Sequence, residues 1–205
     1  MSQIPELMGG RSLTHSIPLA VGKSSGKMYG ICQASADVAA GTVINADDEG
    51  TTETETTSYT VPANTLVAGS TIRAKFYVHS SSGNSSDTTQ IALRFGSNTT
   101  ASSNSGIETG ATDLANSGAV CVGDGVVQIR TAGSSGTAIM FGTIAMDVVT
   151  TGIALSHDES GAMATFAVNT TVANYLAVTI TNSGTSSSQS SHAEALIVDI
   201  VNPST

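Results

Sequence analysis

Glu53–Phe95, ETETTSYTVPANTLVAGSTIRAKFYVHSSSGNSSDTTQIALRF, is the stretch whose reading decides the fold. From Thr71 to His79 it alternates strictly: Ile72, Ala74, Phe76 and Val78 fall on one side, and Arg73, Lys75 and Tyr77 on the other. From Gln90 to Phe95 the pattern returns with Ile91, Leu93 and Phe95. Successive side chains of a strand point to opposite faces, so each run predicts a strand with one buried and one wet face. The Ser/Gly/Asn loop between them predicts that the two runs pair as an antiparallel unit.

Working outward, short strands are expected at Lys27–Ala34, Gly41–Ile44 and Thr56–Val61, the last halted by Pro62. Pro-Ala-Asn-Thr-Leu and Ala-Gly-Ser then supply turns. Ser97–Gly118 reads as a long loop, either functional or packed on itself, with a short helical turn near Asp113–Asn116. Ala119–Val122 and Val126–Thr131 read as two strands separated by a tight turn at Gly123-Asp124-Gly125. A hairpin-sized loop at Ala132–Gly136 leads to a long strand, Thr137–Val149, in which Gly142 predicts a bulge or bend. Gly152–Leu155 and Ala162–Val168 come next. Tyr175–Asn182 and His192–Val201 read as a closing hairpin around Ser183–Ser191. Many short alternating strands, regular turn punctuation and no sustained helical period predict an all-β sandwich or barrel. No repeat of 20–50 residues suggests a propeller or solenoid.

Composition agrees with that class. Charged residues make up 11% of the 205 residues, against an ordinary share of roughly 25%. Hydrophobic residues stand at 40%, so the chain lacks the low hydrophobicity and high charge of disordered sequences. Thr and Ser clad the outward positions, and Thr suits a pleated, half-exposed surface. Trp is absent and aromatics are 4%, which argues against a stacking platform for sugars or single strands. The net charge is −9, and the seven Lys and Arg are scattered. Phosphate-backbone binding needs clustered basic residues, so nucleic acid is not an expected partner. No apolar run approaches the ~18 residues of a spanning helix, so a membrane is not expected either. The N-terminus lacks the basic and apolar regions of a signal peptide, which predicts a soluble protein made in a cytoplasm.

Residues 1–28 differ from the rest of the chain. They hold Pro5, Pro18, the pair Gly9-Gly10 and three of the seven basic residues, and their apolar residues keep no period. They read as an extended N-terminal arm, with residues 29–205 as a single β-sandwich domain. Ile4, Leu7, Met8, Leu13 and Ile17 are its candidate docking anchors.

The residue types that carry chemistry form no focused constellation. The histidines His15, His79, His157 and His192 make neither HxH nor HExxH, and His157-Asp158-Glu159 reads as a solvated turn. There is no GxSxG elbow and no GxxxxGK[ST] loop. Asp47, Asp48, Glu49, Glu53 and Glu55 make an acidic stretch whose spacing does not match an EF-hand, so a solvated acidic loop is expected. Cys32 and Cys121 sit in small or apolar runs and read as buried free thiols. No catalytic residue, metal or cofactor is assigned, and a non-enzymatic protein is expected.

SYTVPANTLVAGSTIRAKFYV (58–78), its Ser/Gly/Asn loop and the strand ending Arg94-Phe95-Gly96 resemble a recurrent segment of tailed-bacteriophage structural proteins. NYLAVTITNSGTSSSQSSHAEALIVDIV (174–201) resembles the final hairpin of the same kind of domain. The resemblance implies a jelly-roll sandwich, often trimeric, without catalytic residues. It implies a virion protein, made in the host cytoplasm and carried on the capsid surface as a decoration (cement) protein. Its partners would be the major capsid protein and two further copies of itself. The alternative is a tail-fibre or receptor-binding tip that takes a host-surface glycan. Such fibres often carry repetitive or coiled-coil stems, and this chain has only a short arm, which favours a compact protein docked on a shell.

Overall fold

Alternation at the period of two is what the chain converts into structure. The computed structural model describes residues 29–31, 44–45, 52–81, 87–113, 118–148, 152–156, 165–183 and 189–203. These contain β1 (Tyr29–Ile31), β2 (Ile44–Asn45), β3 (Thr54–Val61), β4 (Thr71–Ser81), β5 (Thr88–Gly96), β6 (Ser105–Glu108) and β7 (Thr112–Asp113). They continue with β8 (Ala119–Thr131), β9 (Gly136–Val148), β10 (Gly152–Ser156), β11 (Phe166–Val168), β12 (Asn174–Ser183) and β13 (Ser190–Asn202). A single 3-10 turn, Ala101–Ser103, is the only helical element among the described residues.

Two antiparallel sheets pack face to face. The larger runs β1-β13-β4-β8-β9-β10, with β2 also on the edge of β13 and β11 also on the edge of β9. The smaller runs β3-β12-β5-β6, with β7 also on β5. Setting aside β2, β7 and the β9–β11 extension leaves eight strands. Numbered in chain order, one sheet reads first-eighth-third-sixth and the other second-seventh-fourth-fifth. That is the strand order of a jelly roll, two Greek keys wrapped into a sandwich. The expected all-β, antiparallel jelly-roll-like sandwich is the observed fold. The N-terminal arm, residues 1–28, lies outside the described residues. Tyr29–Ile31, next along the chain, form an edge strand on Ile200–Asn202.

The topology corrects two expected hairpins. β4 and β5 do not pair: β4 lies between β13 and β8, and β5 lies in the other sheet between β12 and β6. β12 and β13 are likewise in opposite sheets. In each case strands consecutive in the chain belong to different sheets. Both expectations rested on loop length and alternation, and these are the same for a hairpin and for a connection that spans the sandwich. The hairpin at Ala132–Gly136 is as expected, with β8 paired to β9. Gly133 there holds a φ of +108°, a left-handed conformation that glycine adopts without steric cost.

The expected turn at Asp124 is also corrected. Ala119–Thr131 is one continuous strand, and Asp124 lies in the middle of it. The flanking glycines serve packing instead of turning. A Cβ at Gly123 would lie 2.0 Å from Cζ of Phe76, and one at Gly125 would lie 2.3 Å from Cδ2 of Leu93. Phe76 comes from the neighbouring strand and Leu93 from the opposite sheet, so the two glycines form a hollow that both large side chains fill. The bulge expected at Gly142 is displaced, because the irregularity in the β8–β9 ladder falls between Ile129 and Thr131. Close backbone approach explains Gly142, where a Cβ would meet the Asp124 carbonyl oxygen at 2.2 Å.

The core is the shared inner face of both sheets. Ile72, Phe76 and Val78 from β4 meet Ile91, Leu93 and Phe95 from β5 and Leu176, Val178 and Ile180 from β12, all fully buried. The two alternating runs that were expected to lie side by side therefore face each other across the sandwich. Cys121 lies in this core as a free thiol, and burial pushes its pKa up to about 12. It behaves as a small hydrophobe, as expected, while Cys32 lies outside the described residues.

Several polar groups buried between the sheets are paired across them. Asn182 Oδ1 on β12 accepts hydrogen bonds from Thr89 Oγ1 on β5 (3.0 Å) and Ser191 Oγ on β13 (2.9 Å). The β13–β4 ladder slips register between Ala193 and Ala195. There the Ala193 N–H donates to Thr56 Oγ1, 3.1 Å away on β3 of the other sheet. A bulge removes a ladder bond, and Thr56 satisfies the released donor.

This packing sets the expected stability of three variants. Gly123→Ala is expected to cost about 1–3 kcal/mol by overpacking against Phe76. Gly110→Ala, where nothing lies within 4 Å of the new methyl, is expected to stay within about 0.5 kcal/mol of wild type. Thr56→Val, nearly isosteric, is expected to cost about 1–3 kcal/mol by stranding the Ala193 N–H. Urea unfolding of the three variants beside wild type measures all of these.

Candidate interaction surface

The outer faces of the two sheets differ in what covers them. On β5 and β12, Ala92, Ala177 and Thr179 alternate with core residues and so point outward, yet all three are buried. The chain covers this face itself. The turn Ala101–Ser103 lies against β3, β5 and β12, and Asn104 occupies the space beside Gly96, where a Cβ would fall 2.3 Å from Asn104 Oδ1. The span Ser97–Gly118, expected to be one long loop, instead holds this turn and the strands β6 and β7, both paired to β5, and Asp113, expected in a helical turn, ends β7.

Arg94 organises the polar part of this face. Its Nε donates to Glu53 Oε1 (2.7 Å) and its Nη2 to Glu53 Oε2 (2.9 Å), a bidentate pair, and Nη2 also meets Glu108. Thr179 Oγ1 donates to Glu53 as well. Burial opposes ionisation of Glu53. The Arg94 and Thr179 hydrogen bonds and the guanidinium charge outweigh it, so the carboxyl lies below its ordinary value. Burial likewise disfavours the charged Arg94, and Glu53 and Glu108 reverse that and raise its pKa. The expectation of a solvated acidic loop is corrected at Glu53. Its carboxylate is held by Arg94, forty-one residues along the chain. Asp47, Asp48 and Glu49 lie outside the described residues.

The outer face of the larger sheet has no such cover among the described residues. Register places its residues in rows. One row is His192–His79–Val120–Asp147, another Ile197–Lys75–Asp124–Thr143, and a third Asp199–Arg73–Val126–Phe141. Three large apolar side chains stand open here: Val120 is 53% exposed, Ile197 44% and Phe141 41%. Val122 and Val126, half-buried, continue a stripe along β8 that only Asp124 interrupts. Charges of both signs border it, and Lys75 Nζ sits 5.9 Å from the centre of the Tyr77 ring. Open apolar groups on a broad sheet face, rimmed by polar ones, are the chemistry of a protein–protein contact.

The first of these rows also holds the metal-type donors among the described residues. His79 on β4 and His192 on β13 are direct cross-strand partners. Their ring centroids are 5.7 Å apart at an interplanar angle of 63°. Glu194 lies at the bulge, and its Oε1 is 2.9 Å from His192 Nε2. One donor atom from each of the three lies within 4.8 Å of the others. Sequence motifs could not find this group, because two of its members are neighbours only through strand pairing.

The anchors Ile4, Leu7, Met8, Leu13 and Ile17 lie outside the described residues, as does His157-Asp158-Glu159. No protein-family model matches the chain, and no curated protein matches it.

The Glu53–Arg94 pair has a pH signature. A carboxyl depressed in the folded state adds stability that is complete above its ordinary value of 4.5. That stability is lost as pH falls through the lower folded-state value. Glu53→Gln is therefore expected to be less stable than wild type at pH 7 by about 1 kcal/mol. The gap is expected to close in acid below the folded-state value, in urea titrations across that range.

Proposed function

We propose that this protein is a non-enzymatic structural protein of a phage virion, a capsid decoration (cement) protein that binds the outer surface of the assembled head as a homotrimer. The observation that carries the reading is where the two phage-like segments fall in the fold. Residues 56–95 hold most of β3, all of β4 and nearly all of β5, and residues 174–201 hold β12 and β13 almost entire. Far apart in the chain, they come together as β3-β12-β5 in one sheet and β13-β4 in the other. Residues that resemble phage proteins thus make up a contiguous block of strands in each sheet. A jelly roll by itself hosts many functions, so this likeness gives the reading its virion content.

The open face of the larger sheet supports association. Burying Val120, Phe141, Ile197 and their neighbours contributes roughly 25 cal/mol per Å² of apolar area, before the cost of association is subtracted. Residues 1–28 dock on the major capsid protein through Ile4, Leu7, Met8, Leu13 and Ile17. Binding that is selective for the assembled shell stabilises it by mass action, and so opposes separation of capsomers under internal DNA pressure. The protein needs no cofactor in this role and engages neither nucleic acid nor membrane.

Removing residues 1–28 leaves every described strand in the chain, since the first begins at Tyr29. The truncated protein is expected to keep cooperative unfolding and to lose co-sedimentation with undecorated heads. Retained binding would remove the arm from the mechanism. Immunogold labelling of particles is expected to decorate heads. Label confined to tail tips would replace this reading with a receptor-binding tip that takes a host-surface glycan.

A further inference from the structure

We propose that His79, His192 and Glu194 form a binding site for a divalent ion of the zinc class, held across the β4–β13 seam. Directly opposed residues on antiparallel strands have Cβ atoms about 4.5–5.5 Å apart, and His79 and His192 are such a pair. Two imidazoles so placed address one point above the sheet. The bulge supplies the third donor. It falls between Ala193 and Ala195, and bulges re-aim side chains. Here Glu194 projects beside His192, with Oε1 2.9 Å from Nε2.

The present spacing is close to what an ion requires. The donor atoms lie within 4.8 Å of one another. Zinc–nitrogen bonds of about 2.0–2.1 Å put two tetrahedral donors about 3.3 Å apart. Small rotations of the side chains close that gap, and His79 and Glu194 are exposed and have room to make them. The donor set selects the ion. Two imidazoles and one carboxylate suit zinc and its neighbours, whereas calcium and magnesium take oxygen alone. Three protein donors leave a coordination position for water. The ion would join β4 to β13 at the position where their ladder is broken. The site stands independently of the proposed virion role.

Titrating zinc chloride into the full-length protein at neutral pH by calorimetry tests the site. Wild type is expected to take one zinc per chain and to show a Tm that rises with zinc. His79→Ala and Glu194→Gln are each expected to weaken binding at least about tenfold and to lose the rise. A His15→Ala/His157→Ala double variant, which removes the other two histidines, is expected to bind as wild type. Magnesium chloride is expected to leave Tm unchanged. Absence of zinc binding by wild type overturns the proposal. So does binding that survives His79→Ala and Glu194→Gln but fails in the double variant.

Discussion

Phe76 and Leu93 press into the space that side chains at Gly123 and Gly125 would fill, and much of the sandwich depends on that contact. It brings together β4, β5 and β8, two from one sheet and one from the other. The two large side chains lie on the inner faces and need a partner strand with no bulk at those positions. A side chain at either glycine would push the neighbouring strand or the opposite sheet away. The hollow also explains why Gly123-Asp124-Gly125, with the composition of a turn, stays extended in the middle of a thirteen-residue strand.

Around that centre, polar groups are used to tie the sheets together. Asn182 gathers hydroxyl donors from both sheets, and Thr56 reaches across to the bulged Ala193 N–H. A buried donor without a partner costs more than an ordinary hydrogen bond contributes, so Thr56 opposite the bulge in β13 offsets a cost the bulge would otherwise carry. The same bulge places Glu194 beside His192 on the outside. One irregularity in the ladder is thus stabilised from the core and shapes the surface.

The two outer faces have separate fates. The smaller sheet is closed by its own loop and by the Arg94 pair with Glu53. The larger sheet presents Val120, Phe141 and Ile197 to its surroundings. A low-charge sandwich with one self-covered face and one open, partly apolar face suits a protein that works by lying against others. The proposed decoration role uses that asymmetry, and the His79–His192–Glu194 group lies at one end of the open face.

Alternation along the chain determined the class of fold. Ile72, Phe76 and Val78, then Ile91, Leu93 and Phe95, had to lie on buried faces of strands, because a period of two leaves no other way to bury them together. The inward set and the buried thiol of Cys121 were legible for that reason. Pairing was not legible, because alternation names the buried face of a strand and not its neighbour. Only the tertiary structure decided that β4 and β5 face each other across the core, and that Asp124 lies in a strand. It also decided that Glu53 belongs to Arg94 and that His79 meets His192. The last two join residues distant in sequence, and all of them follow from a register set by the packing of two whole sheets.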